Sequence, residues 1–309
     1  MAGRRQKKSG GRSYAWRYRG RIVACVFVEV IIICALVIMI GWNKGVKEWF
    51  EQFEQPVLKE VDISGINSPN AILMQARGGK ILGEINGEAQ IYPASMTKIM
   101  TVILGIENFD NLDEKITLTN EMFTGLYEQD ATQAGFQPGE EVRVIDLLYG
   151  AMLPSGAECC IALADTISGS EADFAELMNK KARKLGMENT NFCDSTGLHN
   201  PDHYSTVKDI AVLMKYCIKN DTFREIVETS RHSTGVTNIH PDGITYYSTM
   251  FKNLSDPTVT GGKILGGKTG YTSEAGHCLV SFAEIEGREY IFVSAGASGA
   301  DGNTIPHIQ

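Results

Sequence analysis

The sequence predicts a mixed α/β domain of the α+β type, in which one sheet is assembled from both ends of the domain and helices lie between them. Near the start, "NAILMQARGGKILGEING" alternates around a Gly-Gly turn, which predicts a β-hairpin. After Thr258, strand patterns return in "GGKILGGKTG", "HCLVSFAEI" and "EYIFVSAGA". The long stretch between these ends has helical periodicity, so we expect it to form a second, helical lobe.

The predicted helices have recognisable boundaries. The first runs from about 95 to 107 in "SMTKIMTVILGIE", where apolar residues form a stripe on one face. "VIDLLYGAML" and "AECCIALADTI" follow, and Ser170 with Asp173 forms a capping box at the start of "SEADFAELMNKKARKLG". A second capping box, Thr206 with Asp209, opens "TVKDIAVLMKYCIKN".

The N-terminal region differs in kind from this domain. Residues 1–21 carry eight Lys or Arg and no acidic residue, and 22–41 form an apolar run interrupted only by Glu29. Such a run is long enough to cross a bilayer as a helix, and cationic flanks stay in the cytoplasm. We therefore predict a cytoplasmic tail and a single-pass membrane anchor, with the rest of the chain outside. A cleaved signal peptide is the alternative, but "VIMIGWNKG" offers no clear cleavage site.

Charge and organisation change after the anchor. All 37 acidic residues follow Arg21, against 21 of the 29 basic ones, which gives this part a net charge of −16. A domain this acidic argues against nucleic acid as a partner. We expect residues 42–65 to be a juxtamembrane linker with a short amphipathic helix ending at Pro56, and 66–309 to be the folded domain.

Cysteine and histidine residues predict no metal site and no cofactor. The seven Cys have no C-x-x-C spacing and are interpreted as small buried hydrophobic residues. His199 and His203 are four apart, but Pro201 breaks the helix that a metal-binding pair would need. We expect His199 and His203 to have structural roles on a long loop, with contact to a functional cleft as the alternative. We expect Asp146 to make an interior helix contact rather than act as a catalytic acid.

The stretch "GKILGGKTGYTSEAG" allows two functional interpretations. Gly262–Thr269 fits the phosphate-loop pattern G-x-x-x-x-G-K-T, yet it also contains the KTG of serine acyl-transfer enzymes. A phosphate loop must lead directly into a helix, whereas "GYTSEAGHCLV" leads into a β-rich run. Only 40 residues follow Thr269, too few for the crossovers of a nucleotide-binding fold. The nucleotide-binding interpretation is therefore disfavoured.

Two upstream elements support the acyl-transfer interpretation. In "SMTK", Ser95 and Lys98 are three residues apart at a helix start and project from one face. A neutral lysine, its pKa lowered by desolvation and by a nearby cation such as Lys268, could accept the serine proton. The free N–H groups of a helix N-terminus could stabilise an oxyanion. The third element, "PSG" at 154–156, falls on a turn between two predicted helices.

These elements, in the order SxxK, SG, KTG, resemble the low-molecular-mass penicillin-binding proteins, specifically the serine-type D-alanyl-D-alanine carboxypeptidases. The resemblance runs from roughly Ile66 to Ala297 and includes "YPASMTKIMT", "AMLPSGAECCIALAD", "FCDSTGLHNPDHYSTVKDIAVLM" and "GGKTGYTSEAGHCLVSFAE". It implies an antiparallel sheet of about five strands flanked by helices, an all-helical subdomain and a cleft between them.

The resemblance also implies catalytic roles. Ser95 would attack the penultimate D-Ala carbonyl of the peptidoglycan pentapeptide, and Lys98 would be the general base. Ser155 would relay a proton to the departing D-Ala. Water would hydrolyse the acyl-enzyme, and a β-lactam would inhibit by occupying Ser95 as a slow substrate mimic.

Substrate-binding roles follow from the third motif. Lys268 by charge and Thr269 by hydrogen bond would hold the terminal carboxylate of the substrate. Gly270 would let the backbone approach the substrate closely. The backbone N–H groups of Ser95 and Tyr271 would form the oxyanion hole.

The chain departs from the family pattern in two ways. Ala157 stands where the family's second motif has an Asn, and on a helix the side chain of Glu158 would point about 100° away from that position. The chain ends at "GNTIPHIQ" without the family's final helix or extra C-terminal domain, so we expect a partly uncovered sheet or a truncated sequence.

Two alternatives remain beside an active carboxypeptidase. A β-lactamase is disfavoured because no ExxxN deacylation motif is evident, and Glu171 and Asp173 are not spaced for one. A membrane-anchored penicillin-binding sensor, or an impaired homologue, would be acylated without turnover. The 21-residue tail leaves little room for a signalling domain, which argues against the sensor.

Overall fold

A computed structural model describes residues 59–254 and 256–299. The predicted tail, the anchor at 22–41 and most of the linker lie outside these residues. Within the described ranges, no helix has the length and apolar character needed to cross a bilayer. Near the start of the described residues, the N–H of Val61 donates to the carbonyl of Leu82 at 2.7 Å.

The described chain contains the following elements. The strands are β1 (Asn70–Gln75), β2 (Ile81–Ile85), β3 (Lys115–Thr117), β4 (Glu141–Arg143), β5 (Arg231–Ser233), β6 (Thr245–Tyr247), β7 (Thr258–Val259), β8 (Gly262–Thr272), β9 (Gly276–Ile285) and β10 (Arg288–Ala297). The helices are α1 (Lys98–Asn108), α2 (Val144–Met152), α3 (Ala157–Ser168), α4 (Glu171–Leu185), α5 (Val207–Cys217), α6 (Asp221–Glu228) and α7 (Thr249–Asn253). Two short 3₁₀ turns lie at Ala94–Thr97 and Glu121–Phe123.

The main sheet is antiparallel and joins the two ends of the domain, as predicted. Its strand order is β2-β1-β10-β9-β8-β7, and β1 pairs with β10 in a register that places Asn70 opposite Ala295. The sheet has six strands rather than about five. The additional strand, β7, is a two-residue edge segment that pairs with the start of β8, and such a short piece has no periodicity to detect in the sequence.

The helical lobe and the sheet share one apolar core. Helix α1 packs on α2, α3 and α5, and its residues from Lys98 to Gly105 are all buried. From the sheet, Ile72, Val280 and Val293 are fully buried in the same cluster. Burial on this scale dominates the stability of a domain, since each large aliphatic side chain contributes about 1.5–3 kcal/mol.

Both predicted capping boxes are confirmed. The hydroxyl of Ser170 accepts from the N–H of Asp173 at 3.1 Å at the start of α4. The hydroxyl of Thr206 accepts from the N–H of Asp209 at 3.0 Å at the start of α5. These bonds satisfy backbone donors that a helix leaves free at its first turn, so local sequence defines both starts.

The structural interpretations of Cys and Asp146 are largely confirmed. Five Cys lie in the described ranges, all as free thiols; four are buried, but Cys193 is only half-buried because it lies on an irregular loop. Asp146 is buried and accepts from Arg143 at 2.8 Å, while His232 Nε2 lies 3.1 Å from it. Its carboxylate therefore ties β4 and β5 to α2.

Candidate active site

The turn that carries Ser95 and Lys98 places a serine hydroxyl beside a buried amine. Ser95 lies on the 3₁₀ turn, and Lys98 is the first residue of α1, so the predicted helix begins with a tighter turn. The Nζ atom of Lys98 lies 3.0 Å from the Oγ of Ser95 and donates to the carbonyl of Thr196 at 2.7 Å. Ala94, just before the serine, has a left-handed backbone with φ of 46°, a strained conformation that is concentrated at functional sites.

The pKa of Lys98 is shifted mainly by its burial. Burial lowers the pKa of Lys98, since an ammonium loses hydration in the interior, while nearby Cys160, Asp194 and Glu158 oppose this shift. The sequence predicts that the charge of Lys268 lowers the pKa of Lys98, but the effect of this repulsion falls on the pKa of Lys268. Burial, with repulsion from Lys98, lowers the pKa of Lys268 well below its usual value. Burial therefore favours the neutral form of Lys98 relative to that of an exposed lysine.

The second motif lies on the turn between α2 and α3. The Oγ of Ser155 donates to the Oγ of Ser95 at 3.0 Å, and both serines line the cleft. Ser155 is buried, and its backbone is left-handed with φ of 73°. A serine in this region costs on the order of 1–3 kcal/mol, so the surrounding turn must hold it there.

Strand β8 brings the third motif against the 3₁₀ turn at Ala94–Thr97, called the catalytic turn below because it carries Ser95. A Cβ atom at Gly270 would lie 2.9 Å from the N of Ser95, so any side chain there would disturb the contact between strand and turn. Lys268 is fully buried, and its Nζ donates to the carbonyl of Thr269 at 2.9 Å. Tyr271 follows with its ring exposed and tilted against His277.

These residues line one cleft. Its volume is about 350 Å³. Of the seven predicted site residues, Lys98 lies beneath the cleft in contact with Ser95, and the other six line it: Ser95, Ser155, Lys268, Thr269, Gly270 and Tyr271. In the described part of the chain, no group of three or more His, Cys, Asp or Glu is arranged to hold a metal ion.

The chain matches the D-alanyl-D-alanine carboxypeptidase family, peptidase S11, over residues 57–299. It belongs to this family. Among curated S11 relatives, DacF of Bacillus subtilis is 35% identical over 233 residues, which is 74% of this chain and 57% of DacF. DacC of Escherichia coli is 32% identical over 261 residues, 77% of this chain and 58% of DacC. The chain thus spans a little over half the length of these relatives.

The S11 fold is also seen in solved structures. The DD-transpeptidase of Streptomyces K15 superposes with a TM-score of 0.69 at 29% identity, covering 77% of this chain and 93% of that one. A D-alanyl-D-alanine carboxypeptidase from Mycobacterium tuberculosis, at 21% identity and a TM-score of 0.69, has the same fold. The family resemblance and the antiparallel sheet with flanking helices are confirmed.

Several cleft residues of this S11 chain were missed by the sequence motifs. Asp130 and Thr132 come from the loop after the second 3₁₀ turn, Thr249 and Asn253 from α7, and His277 from β9. None of them belongs to a short pattern of its own, since tertiary packing alone brings these segments to the cleft. His199 is among the residues expected to be structural. Its ring contacts Tyr92 edge-on, and it does not line the cleft.

The second S11 motif is supported from behind by Glu158. Ala157 is buried and brings no amide to the cleft. As expected from helix geometry, Glu158 points elsewhere, and its Oε1 accepts from the N–H groups of Ala134 at 2.6 Å and Gly135 at 2.9 Å. Burial raises the pKa of Glu158. Glu158 therefore holds the loop that contributes Thr132 to the cleft.

Proposed function

We propose that this chain is a D-alanyl-D-alanine carboxypeptidase that acts on peptidoglycan stem peptides through an acyl-enzyme on Ser95. One observation carries the proposal. The Oγ of Ser95 lies 3.0 Å from both Lys98 Nζ and Ser155 Oγ, in a cleft whose β8 wall carries Lys268 and Thr269. A nucleophile, a base and a carboxylate-binding pair thus converge on one site.

Acylation begins with proton removal. Neutral Lys98 accepts the hydroxyl proton of Ser95, and Oγ attacks the carbonyl carbon of the penultimate D-Ala. The N–H groups of Ser95 and Tyr271 stabilise the oxyanion. When the C–N bond breaks, the proton on Lys98 passes through Ser155 to the amine of the departing D-Ala. The lowered pKa of Lys98 suits both halves of this exchange.

Substrate recognition depends on the terminal carboxylate. Lys268 is buried close to the position that this carboxylate would occupy, and a bound anion would favour its charged form. Thr269 adds a hydroxyl donor. Because the carboxylate must enter for Lys268 to gain a counter-charge, the site favours a free C-terminus over an internal peptide bond.

Deacylation uses water as the acceptor. Lys98, neutral again after the leaving group has departed, takes a proton from water, and the hydroxide attacks the ester carbonyl of the acyl-enzyme. The bond between the carbonyl carbon and Ser95 Oγ then breaks, and Oγ takes the proton back from Lys98 as the peptide carboxylate leaves. A β-lactam acylates Ser95 in the same way, but its leaving amine stays attached after the ring opens. The tethered amine obstructs the approach of water, so β-lactams are expected to inhibit.

The proposal is tested with the purified full-length chain, diacetyl-Lys-D-Ala-D-Ala and a fluorescent penicillin. We expect D-Ala release and covalent labelling, both abolished in Ser95→Ala. Labelling without release would favour a penicillin-binding sensor or an impaired homologue. Rapid turnover of nitrocefin would favour a β-lactamase. Transfer to an added amine in preference to water would indicate a transpeptidase.

We also propose that the chain is a single-pass membrane protein with its catalytic domain outside the cytoplasm. The support is the sequence: an apolar run at 22–41 follows a tail with eight basic residues. Protease added to intact cells whose wall has been removed should digest the catalytic domain and spare an N-terminal tag. Protection of the domain until the membrane is lysed would contradict this orientation.

A further inference from the structure

A turn at 194–197 lies directly against the catalytic turn. The carbonyl of Thr196 accepts from Lys98 Nζ at 2.7 Å, so this turn provides one of the two polar contacts of the amine described above. Gly197 is left-handed with φ of 81°, and a Cβ there would collide with the carbonyl oxygen of Ala94. The two turns are therefore in backbone contact, and a shift of one must displace the other.

The carboxylate of Asp194 fixes the shape of this turn. Its Oδ1 accepts from the N–H of Thr196 at 2.7 Å, from the hydroxyl of Thr196 at 2.7 Å and from the N–H of Gly197 at 2.6 Å. Burial alone would raise the pKa of Asp194, but hydrogen bonds from His203 and Thr196 lower it to about 2. The orientation of the Thr196 carbonyl is thus set by an ionised side chain.

His203 connects this carboxylate to the catalytic turn. It is almost fully buried, its Nδ1 lies 3.0 Å from Asp194 Oδ2, and its Nε2 lies 2.9 Å from the hydroxyl of Thr97. The N of Cys193 lies 3.2 Å from the same Nδ1. Nδ1 can either accept from this N–H or carry a proton and donate to the carboxylate. We assign a proton to Nδ1, because the bond to the nearer, ionised carboxylate is charge-assisted and stronger than the longer bond that the N–H would donate. One imidazole therefore links Asp194 to the residue immediately before Lys98.

We propose that Asp194 and His203 are positioning residues for the general base: together they hold the Thr196 carbonyl and the Thr97 hydroxyl so that Lys98 Nζ is aimed at Ser95. The inference rests on the proposed function, in which Lys98 removes the serine proton. Neither residue lines the cleft, so both act through Lys98 and not on the substrate.

The charge of Asp194 determines the direction in which substitutions should shift the pH dependence of acylation. The charged and titratable groups around Lys98 are Asp194, Glu158, the thiols of Cys159 and Cys160, and the amine of Lys268, which Lys98 repels. The Asp194 carboxylate favours the ammonium form of Lys98, against burial. Asp194→Asn should therefore shift the acid limb of the acylation profile to lower pH. His203→Gln removes a donor from the carboxylate and leaves its charge less compensated, so the limb should shift to higher pH.

The test measures the second-order rate of acylation by a fluorescent penicillin across the acid limb, together with kcat and KM on diacetyl-Lys-D-Ala-D-Ala. We expect both variants to lower the plateau rate by about 10- to 100-fold, as misplaced catalytic groups do. Their limbs should move in opposite directions by up to about one pH unit. The KM should stay near the wild-type value. His199→Gln, on the same loop but partly exposed, is the matched control and should change neither quantity.

Thr97→Val provides a second test that leaves Asp194 intact. It removes only the hydroxyl bonded to His203, so the plateau should fall while the limb stays in place. If all variants lower the plateau with unmoved limbs, or if Thr97→Val leaves the plateau unchanged, the positioning role is overturned. A wild-type chain that the penicillin does not acylate at all would instead overturn the proposed function.

Discussion

The hydroxyl oxygens of Thr249 and Thr269 lie 2.8 Å apart, which joins the first residue of α7 to the β8 residue proposed to bind the substrate carboxylate. The N–H of Thr249 also donates to the carbonyl of Leu153 at 3.0 Å, next to the turn that carries Ser155. Helix α7 thus ties the second and third motifs together. The orientation of Thr269 depends on a residue outside the motifs.

Thr249→Val should weaken substrate binding. Loss of one hydrogen bond is worth about 1 kcal/mol, which corresponds to a rise in KM of roughly fivefold with little change in kcat. Steady-state kinetics on diacetyl-Lys-D-Ala-D-Ala measure both values. Thr249→Ser keeps the hydroxyl and serves as the control. A fall in kcat at constant KM would mean that the contact acts in the transition state instead.

Acylation should rise with pH as Lys98 loses its proton. Burial lowers the pKa of Lys98 from its usual 10.5, so the neutral form becomes populated at lower pH than for an exposed lysine. The acid limb of acylation by a fluorescent penicillin should therefore lie clearly below the usual lysine pKa. A limb near 10.5 would show that the amine titrates as if exposed to solvent.

Lys268→Met should stabilise the fold while removing carboxylate binding. The Lys268 amine is buried, and replacing such a group commonly gains about 1–2 kcal/mol. Because the folded pKa of Lys268 lies well below 10.5, the folded chain binds fewer protons than the unfolded chain between these values. The penalty is complete below the folded pKa and disappears above 10.5.

Thermal or urea unfolding at two pH values tests whether the destabilisation caused by Lys268 decreases as the pH rises. The stability gain of Lys268→Met over the wild type should be larger at neutral pH than at pH near about 10.5, where an unfolded lysine is half neutral. Lys263→Met, on the same strand but more exposed, is a suitable control. A gain that does not vary with pH would have to come from packing instead of charge.

Ser155→Gly and Ser155→Ala should have equal effects on catalysis and different effects on stability. Both remove the hydroxyl bonded to Ser95, so D-Ala release should fall strongly in each. Only glycine relieves the left-handed backbone, so the Gly variant should be more stable than the Ala variant by about 1 kcal/mol. Equal unfolding midpoints would show that the turn stores no such strain.

Ala157→Asn should raise the activity towards peptides. An amide at this position would add the substrate hydrogen bond that the family's second motif provides, worth about 1–2 kcal/mol, or a 5- to 30-fold gain in kcat/KM. Ala157→Leu adds similar volume without an amide and should give no gain. Both variants need a check of thermal stability, since Ala157 is buried. An unchanged kcat/KM in a stable Asn variant would show that the cleft already supplies the bond.

Local patterns in the sequence predicted the elements that depend on neighbouring residues. The hairpin of β1 and β2, the capping boxes at Ser170 and Thr206 and the three short motifs were all recognised, because each depends on residues within a few positions of one another. The gathering of the motifs into one cleft followed from the family resemblance and not from periodicity.

Features that depend on distant segments were not predictable in this way. The left-handed backbones of Ala94 and Ser155 carry no local signal, since neither residue type favours that conformation. The contact of His203 with Thr97 joins residues more than 100 positions apart, and α7 reaches Thr269 only through packing. Such contacts are selected by the whole fold, so a single sequence without related sequences does not reveal them.

The position of β10 between β1 and β9 imposes an order on biosynthesis. Strand β1 emerges from the ribosome more than 200 residues before its partner β10, which at about 5–20 residues per second is a delay of roughly 10–40 s. During this interval the edge of β1 that later pairs with β10 is unpaired, and such edges attract other chains. The nascent polypeptide must therefore be shielded until β10 has been synthesised, and enzymatic competence can arise only after β10 has joined the sheet.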